Sequence, residues 1–249
     1  EFHLVGEIKD SDGTPVPLVG AKAVTVNVDG KEHIYVVGGS AHMRNLSLSL
    51  PLGFLFDPEI EEIVWWPSKD SQTPFYYKYQ PYVALLGNGS VLSVSANYQP
   101  NGDGWFIPSN SSASAEVFDP ETKTYTHREP LLGHPFGGFS AAEVPFEGHL
   151  LCGGGVWTQP DNVGTLSPSQ SCRLLKDDLS REIWSDLPKP DDGAGIAFHA
   201  MVQLHDEFNT ILLTGGVTGT STNSTTASAV SYAWILKNPS KNAEWEAVG

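Results

Sequence analysis

An all-β fold of four tandem units follows from the spacing of four aromatic residues. Trp65, Tyr125, Trp184 and Trp245 are separated by 60, 59 and 61 residues, and a period that steady marks an array of one supersecondary unit. Composition agrees. Of 249 residues, 17% are charged and 40% hydrophobic, with 25 Gly and 18 Pro, a turn-rich make-up suited to short strands. No heptads appear, and no amphipathic helical run exceeds about three turns.

Each unit opens with an alternating strand, turns tightly, and enters a second strand of β-branched and aliphatic residues. In the first, Ala23 to Val28 leads through Asp29-Gly30 into His33 to Val37 and ends in Gly38-Gly39. Asp-Gly between two such runs is a strong hairpin signal. The second unit has Tyr82 to Leu86, a turn at Gly87-Asn88-Gly89, then Val91 to Val94. The third has Phe139 to Val144, a turn near Glu147-Gly148, then Leu150-Leu151-Cys152 and Gly153-Gly154-Gly155. The fourth has His199 to Leu204, then Ile211 to Thr214 and Gly215-Gly216.

A polar stretch rich in Ser, Asn and Pro follows each second strand, and a third strand follows that. Phe54-Leu55-Phe56-Asp57-Pro58, Ala115 to Asp119 with Pro120, Cys172 to Leu175 and Tyr232 to Leu236 fill this place. Asp-Pro after a strand starts a turn, because Pro presets φ and Asp bonds the backbone ahead of it. The periodic aromatic then begins a fourth strand.

This order of a strand ending in Gly-Gly, a third strand, an Asp-Pro-type turn and Trp resembles the kelch repeat over most of residues 20–249. Three units carry the doublet; the second has Ser95-Ala96 there, and Tyr125 in place of Trp. The resemblance implies a kelch-type β-propeller of about four units, each a four-stranded antiparallel blade. It is expected as a single domain over 1–249, with units 20–80, 81–138, 139–194 and 195–249. The doublets would let backbones crowd where no Cβ fits, and the aromatics would pack as core between blades. The units exceed the roughly 50 residues usual for kelch. Their excess lies at about 40–52, 97–113, 156–170 and 217–227, connections that kelch propellers gather on one face, a usual place for recognition. Phe2 to Ile8 reads as a strand that would close the ring (residues 1–9). Four blades are few for the family, so a compact four-unit ring and part of a larger propeller both stand.

The formal net charge of −15 argues against nucleic acid, which needs clustered Lys and Arg. It fits a soluble acidic surface, a basic partner or weak calcium binding. Asp10, Asp12 and Gly13, or Asn101, Asp103 and Gly104, do not continue into a loop ending in a carboxylate, so turn chemistry explains them better. No stretch approaches the roughly 18 apolar residues of a membrane helix. The sequence opens at Glu1 without a leader, as a mature or trimmed chain would.

Cys152 and Cys172, the only cysteines, flank the long connection of the third unit on antiparallel neighbours. Such neighbours can meet disulfide geometry. With no Cys-x-x-Cys and no nearby His, a disulfide is favoured over metal or redox use. Asn45, Asn88, Asn110 and Asn223 open Asn-x-Ser/Thr sites, three in long connections and Asn88 in a hairpin turn. Together these features favour a secreted or extracellular protein. The eight histidines offer no metal spacing, and His33 and His149 read as repeats of one structural position. No Gly-x-Ser-x-Gly elbow or phosphate loop appears.

The favoured function is a non-enzymatic extracellular propeller that binds a protein or glycan, or a subunit of a larger assembly, completed if need be by a second chain. No catalytic residue, metal ligand or cofactor is assigned. Trp105, Phe106 and Trp157 in the long connections are the candidate contacts. The alternative is an enzyme: some secreted kelch-type propellers are copper-radical oxidases of the galactose oxidase and glyoxal oxidase kind. Those need a Tyr cross-linked to Cys, two His and a second Tyr. A sialidase reading lacks its Ser-x-Asp-x-Gly-x-Thr-Trp turns.

Overall fold

The computed structural model describes residues 20–38, 53–66, 81–95, 98–100, 106–108, 114–127, 137–158, 165–188, 195–218 and 228–248. Among them every regular element is a strand. Lys22–Val28 (β1), Lys31–Val37 (β2), Gly53–Asp57 (β3) and Glu62–Trp65 (β4) pair in chain order as one antiparallel sheet. Tyr82–Leu85 (β5), Val91–Ser95 (β6), Tyr98–Pro100 (β7), Phe106–Pro108 (β8), Ser114–Asp119 (β9) and Thr124–His127 (β10) follow. Of these, β5, β6, β9 and β10 form the second sheet, and β7 pairs with β8. The third sheet joins Gly137–Val144 (β11), Gly148–Thr158 (β12), Thr165–Pro168 (β13), Cys172–Leu175 (β14) and Arg181–Trp184 (β15), with β13 against the far end of β12. The rest are Ala200–Gln203 (β16), Ile211–Thr214 (β17), Val217–Thr218 (β18), Ser228–Ala229 (β19), Ala233–Leu236 (β20) and Glu246–Val248 (β21). Here β16, β17, β20 and β21 form the fourth sheet, and β18 pairs with β19. The chain is thus all-β, in four-stranded antiparallel sheets of the propeller-blade type, and it divides into two compact units of two sheets each.

Local chemistry fixes the turns. Asp29 and Gly30 both take positive φ, 51° and 78°, between the paired residues Val28 and Lys31. That is the two-residue left-handed turn whose twist matches the flanking strands. After β3, Asp57 Oδ1 accepts hydrogen bonds from the Glu59 and Ile60 amides at 2.8 and 3.4 Å. After β9, Asp119 Oδ1 does the same for Glu121 and Thr122 at 3.0 and 3.3 Å. Each Asp-Pro turn is therefore held by its own carboxylate.

In the first unit, Val24, Val26, His33, Tyr35, Val37 and Leu55 share one face of the first sheet by register. Val91, Ser93, Glu116, Phe118 and Tyr125 share one face of the second. The faces meet: the Tyr35 ring stacks on Phe118 at 4.4 Å, and Trp65 lies 5.1 Å from Phe118. In the second unit, Ala142, Leu150, Cys152, Cys172, Leu174 and Trp184 of the third sheet pack against Ile211, Leu213, Trp234 and Leu236 of the fourth. Burying each such large side chain contributes roughly 1.5–3 kcal/mol. The four periodic aromatics all join these cores, Trp65 and Tyr125 in one and Trp184 and Trp245 in the other.

Register also separates two histidines that the sequence pattern equates. His33 shares its face with Tyr35 and Val37, which pack on the following sheet. His149 is one residue out of phase with Leu150 and Cys152, which do the equivalent packing, so it points to the opposite face. The connections differ from simple polar loops as well. Ladders β7–β8, β12–β13 and β18–β19 occupy part of them. The strand expected at Phe2 to Ile8 lies outside the described residues.

Candidate functional site

In the second unit the glycine run of β12 and the pair that follows β17 meet the segment leading into β16. Gly153 and Gly154 have φ of 67° and 88°, and Gly215 and Gly216 have 69° and 103°. Between the two runs passes Gly195 to His199. Ile196 bridges Ser169, and Ala197 bridges Val217. The Gly154 amide donates to the Ile196 carbonyl at 2.8 Å, and Ala197 and Val217 exchange amide–carbonyl bonds of 3.0 and 2.8 Å. Of these four glycines, Gly153 and Gly216 are required by space as well as by φ. A Cβ on Gly153 would overlap the His199 ring at Cε1 and stand 2.6 Å from the Ile196 carbonyl oxygen. One on Gly216 would stand 2.8 Å from both the Ala197 carbonyl oxygen and Ile196 Cγ2. The doublets are thus places where three backbones approach closely.

That bracing holds one aromatic in an unusual pose. Phe198 has φ of 57°, a region that bulky residues rarely enter. Its amide donates to the Gly138 carbonyl at 2.6 Å, and its ring lies against Gly138, which has no side chain to displace it. The residue is still 48% exposed, while its neighbour His199 is buried. Such a conformation costs on the order of 1–3 kcal/mol and persists only when its surroundings over-determine it, as these bonds do. The result is a rigid, half-exposed aromatic face. It can stack on a sugar ring or an apolar side chain without first losing conformational freedom. The sequence pattern alone misses it, since Phe198 reads there as part of the approach to an ordinary strand. Its signal is the glycine-rich run up to Gly195, together with Gly138 one unit earlier.

A second polar cluster is internal. Tyr35 and Tyr125, both buried, bring their hydroxyls to 2.9 Å beside Gly53, where a Cβ would overlap the Tyr125 hydroxyl. Burial chiefly pushes both phenols far above their ordinary range, so they stay neutral. Tyr125 adds to the effect on Tyr35, the bond to Tyr35 partly offsets that on Tyr125, and the buried Glu116 raises both slightly. In the other unit burial pushes His149 down, opposed by Asp177 at 3.8 Å and by Glu143. His33 stands 3.8 Å from Asp57, both nearly buried.

Cys152 and Cys172 face each other directly across β12 and β14, with Cα atoms 4.2 Å apart, and are disulfide-bonded. Neither is left to cross-link a tyrosine, which removes from this chain the cysteine an oxidase of the galactose oxidase kind requires. Asn88 sits exposed in the β5–β6 turn. Asn45, Asn110, Asn223 and Trp105 lie outside the described residues; Phe106 falls on β8 and Trp157 on β12, their side chains outside the description. Among the described residues no three His, Cys, Asp or Glu side chains are grouped to hold a metal ion, and no helix is long and apolar enough to cross a membrane.

No family model and no curated protein matches the sequence. Among solved structures the chain is similar to YjhT at 14% identity, covering 90% of this chain and 83% of that one, with a TM-score of 0.39. It is also similar to the exo-β-1,3-galactanase of Phanerochaete chrysosporium. A galactotriose complex of a variant of that enzyme gives 11% identity and a TM-score of 0.48, and a galactose complex gives 11% and 0.45. In both, 97% of this chain is covered but only 52% of the enzyme, so the chain spans about half its length. At these TM-scores the fold rests on the sheets themselves.

Proposed function

We propose that this chain is an extracellular binding module: a kelch-type propeller domain, forming one ring or part of a larger one, that recognises a glycan or protein partner. The observation that carries the reading is Phe198, held half-exposed in a left-handed conformation by bonds of its own amide and of Ile196 and Ala197 before it. Phe146 also takes a positive φ, but as the tip of the β11–β12 turn; Phe198 is instead fixed by bonds to distant strands, which supports a preorganised contact. The disulfide supports an oxidising compartment. Short ladders beyond the second strands give rigid walls to the same end of the sheets in the second unit.

The test is a binding screen of the secreted protein against immobilised glycans and extracellular proteins, run beside Phe198→Ala. At least one ligand is expected to lose tenfold or more in affinity in the variant while the melting temperature moves by only a few degrees. Ligands bound equally by both proteins, or no ligand in either set, would overturn the reading.

A further inference from the structure

Four sequence motifs could carry a glycan, and the structure shows the setting of one. Asn88-Gly89-Ser90 occupies the tip of the β5–β6 hairpin. Gly89 has φ of 85°, its amide donates to the Leu86 carbonyl at 2.9 Å, and the Leu86 amide donates to the Ser90 carbonyl at 2.8 Å. Two backbone bonds close the turn. Asn88 is exposed, and its Oδ1 accepts the Ser90 amide at 3.0 Å. The space beyond Gly89 is open, with no atom within 4 Å of where its Cβ would stand.

We infer that Asn88 is an N-glycosylation site, so that the hairpin end of the second sheet bears a sugar. The chemistry fits the geometry. The bond forms between Nδ2 of Asn88 and C1 of an oligosaccharide carried on a lipid pyrophosphate; the C1–O bond breaks, Nδ2 loses a proton, and the lipid pyrophosphate leaves. Only Nδ2 is consumed, so the Oδ1 acceptor that ties Asn88 to Ser90 survives in the product. Attachment therefore leaves the turn as it is. A sugar there would stand beside Leu85, which ends β5 48% exposed. It would hydrate that apolar edge and keep partners off it.

The inference rests on the extracellular reading, because the transferase works in the compartment where the disulfide forms. The experiment is secretion of the chain from a eukaryotic host behind a signal sequence. The intact mass is measured without reductant, and glycans are then removed enzymatically in heavy-oxygen water. The peptide containing residue 88 is expected to carry heavy-oxygen aspartate in most molecules. Ser90→Ala, which keeps the backbone amide that Asn88 Oδ1 accepts, is expected to secrete at a similar level with one glycan fewer. An unmodified Asn88 in protein whose mass shows the disulfide formed would overturn the site while leaving the compartment intact. Free thiols in the secreted chain would instead overturn the compartment, and the site with it.

Discussion

Within one glycine doublet the two positions are expected to behave differently. Gly215 and Gly216 both have positive φ, 69° and 103°. An added Cβ at Gly215 meets nothing within 4 Å, whereas at Gly216 it meets the Ala197 carbonyl and Ile196 Cγ2 at 2.8 Å and His199 Cβ at 3.0 Å. Gly215→Ala thus carries only the left-handed penalty, about 1–2 kcal/mol, offset by roughly 0.4–1 kcal/mol from the stiffer unfolded chain. Gly216→Ala adds a φ outside the ordinary left-handed well, about 1–3 kcal/mol, to an overlap with backbone that cannot rotate away, about 1–3 kcal/mol. With the same unfolded-chain offset applied to both, the expected losses are below about 1.5 kcal/mol and roughly 1–5.5 kcal/mol, centred on about 3. At about 2–4 °C per kcal/mol for a chain of this size, melting should fall by a few degrees in the first variant and on the order of 10 °C in the second. Thermal and urea unfolding of the purified variants read both. Equal losses would refute close backbone approach as the reason for the doublet and leave φ alone to explain it.

Three further outcomes are expected. Replacing Cys152 and Cys172 together by alanine opens a link spanning 20 residues and should cost about 3 kcal/mol by the loop-entropy relation, read from denaturant midpoints; an unchanged midpoint would show that the paired ladder alone constrains the segment. Tyr125→Phe removes the partner of the buried Tyr35 hydroxyl and should cost about 1–3 kcal/mol; Tyr35→Phe in the same background should then cost much less than alone, a non-additivity that a double-mutant cycle measures. His149 has its folded pKa pushed below its ordinary 6.5 by burial, so the unfolded chain binds the proton first. Its contribution is intact above about pH 6.5, is lost as pH falls below that, and levels off beneath the folded pKa. A His149→Asn variant should flatten that part of the stability profile, and an unchanged slope would assign it to other groups.

Much of the fold was legible because its signals are local. Asp29-Gly30 names its turn type, Asp57 and Asp119 hold the chain that follows them, and Tyr35 and Val37 alternate at the strand period. The pairing of Cys152 with Cys172 was legible from their placement on neighbouring strands. What escaped the sequence depends on contacts distant along the chain. The ladders β12–β13 and β18–β19 pair only four and two residues per strand, too few to set up a period that sequence alone would show. Glu116 interrupts no pattern, yet register turns it inward toward the tyrosine pair. The phase of His149 shows only once β12 is paired with β14. Phe198 escaped for the same reason, since its conformation is imposed by Gly138, Ser169 and Val217 from three different strands or their ends.

The tyrosine pair has a consequence for an array of near-identical parts. Repeats that look alike risk packing in the wrong order, or with the matching repeat of another molecule. The first sheet offers a hydroxyl where the second offers one in return, over a glycine that leaves room for both. The third and fourth sheets meet instead through Trp184, Trp234 and the disulfide. A sheet docked at the wrong interface would strand a phenol against an indole or leave Glu116 facing hydrocarbon, a mismatch of several kcal/mol. The one repeat that departs from Trp thus works as an address label, giving the sheets of this unit a fixed sequence of neighbours while the strands keep a common plan.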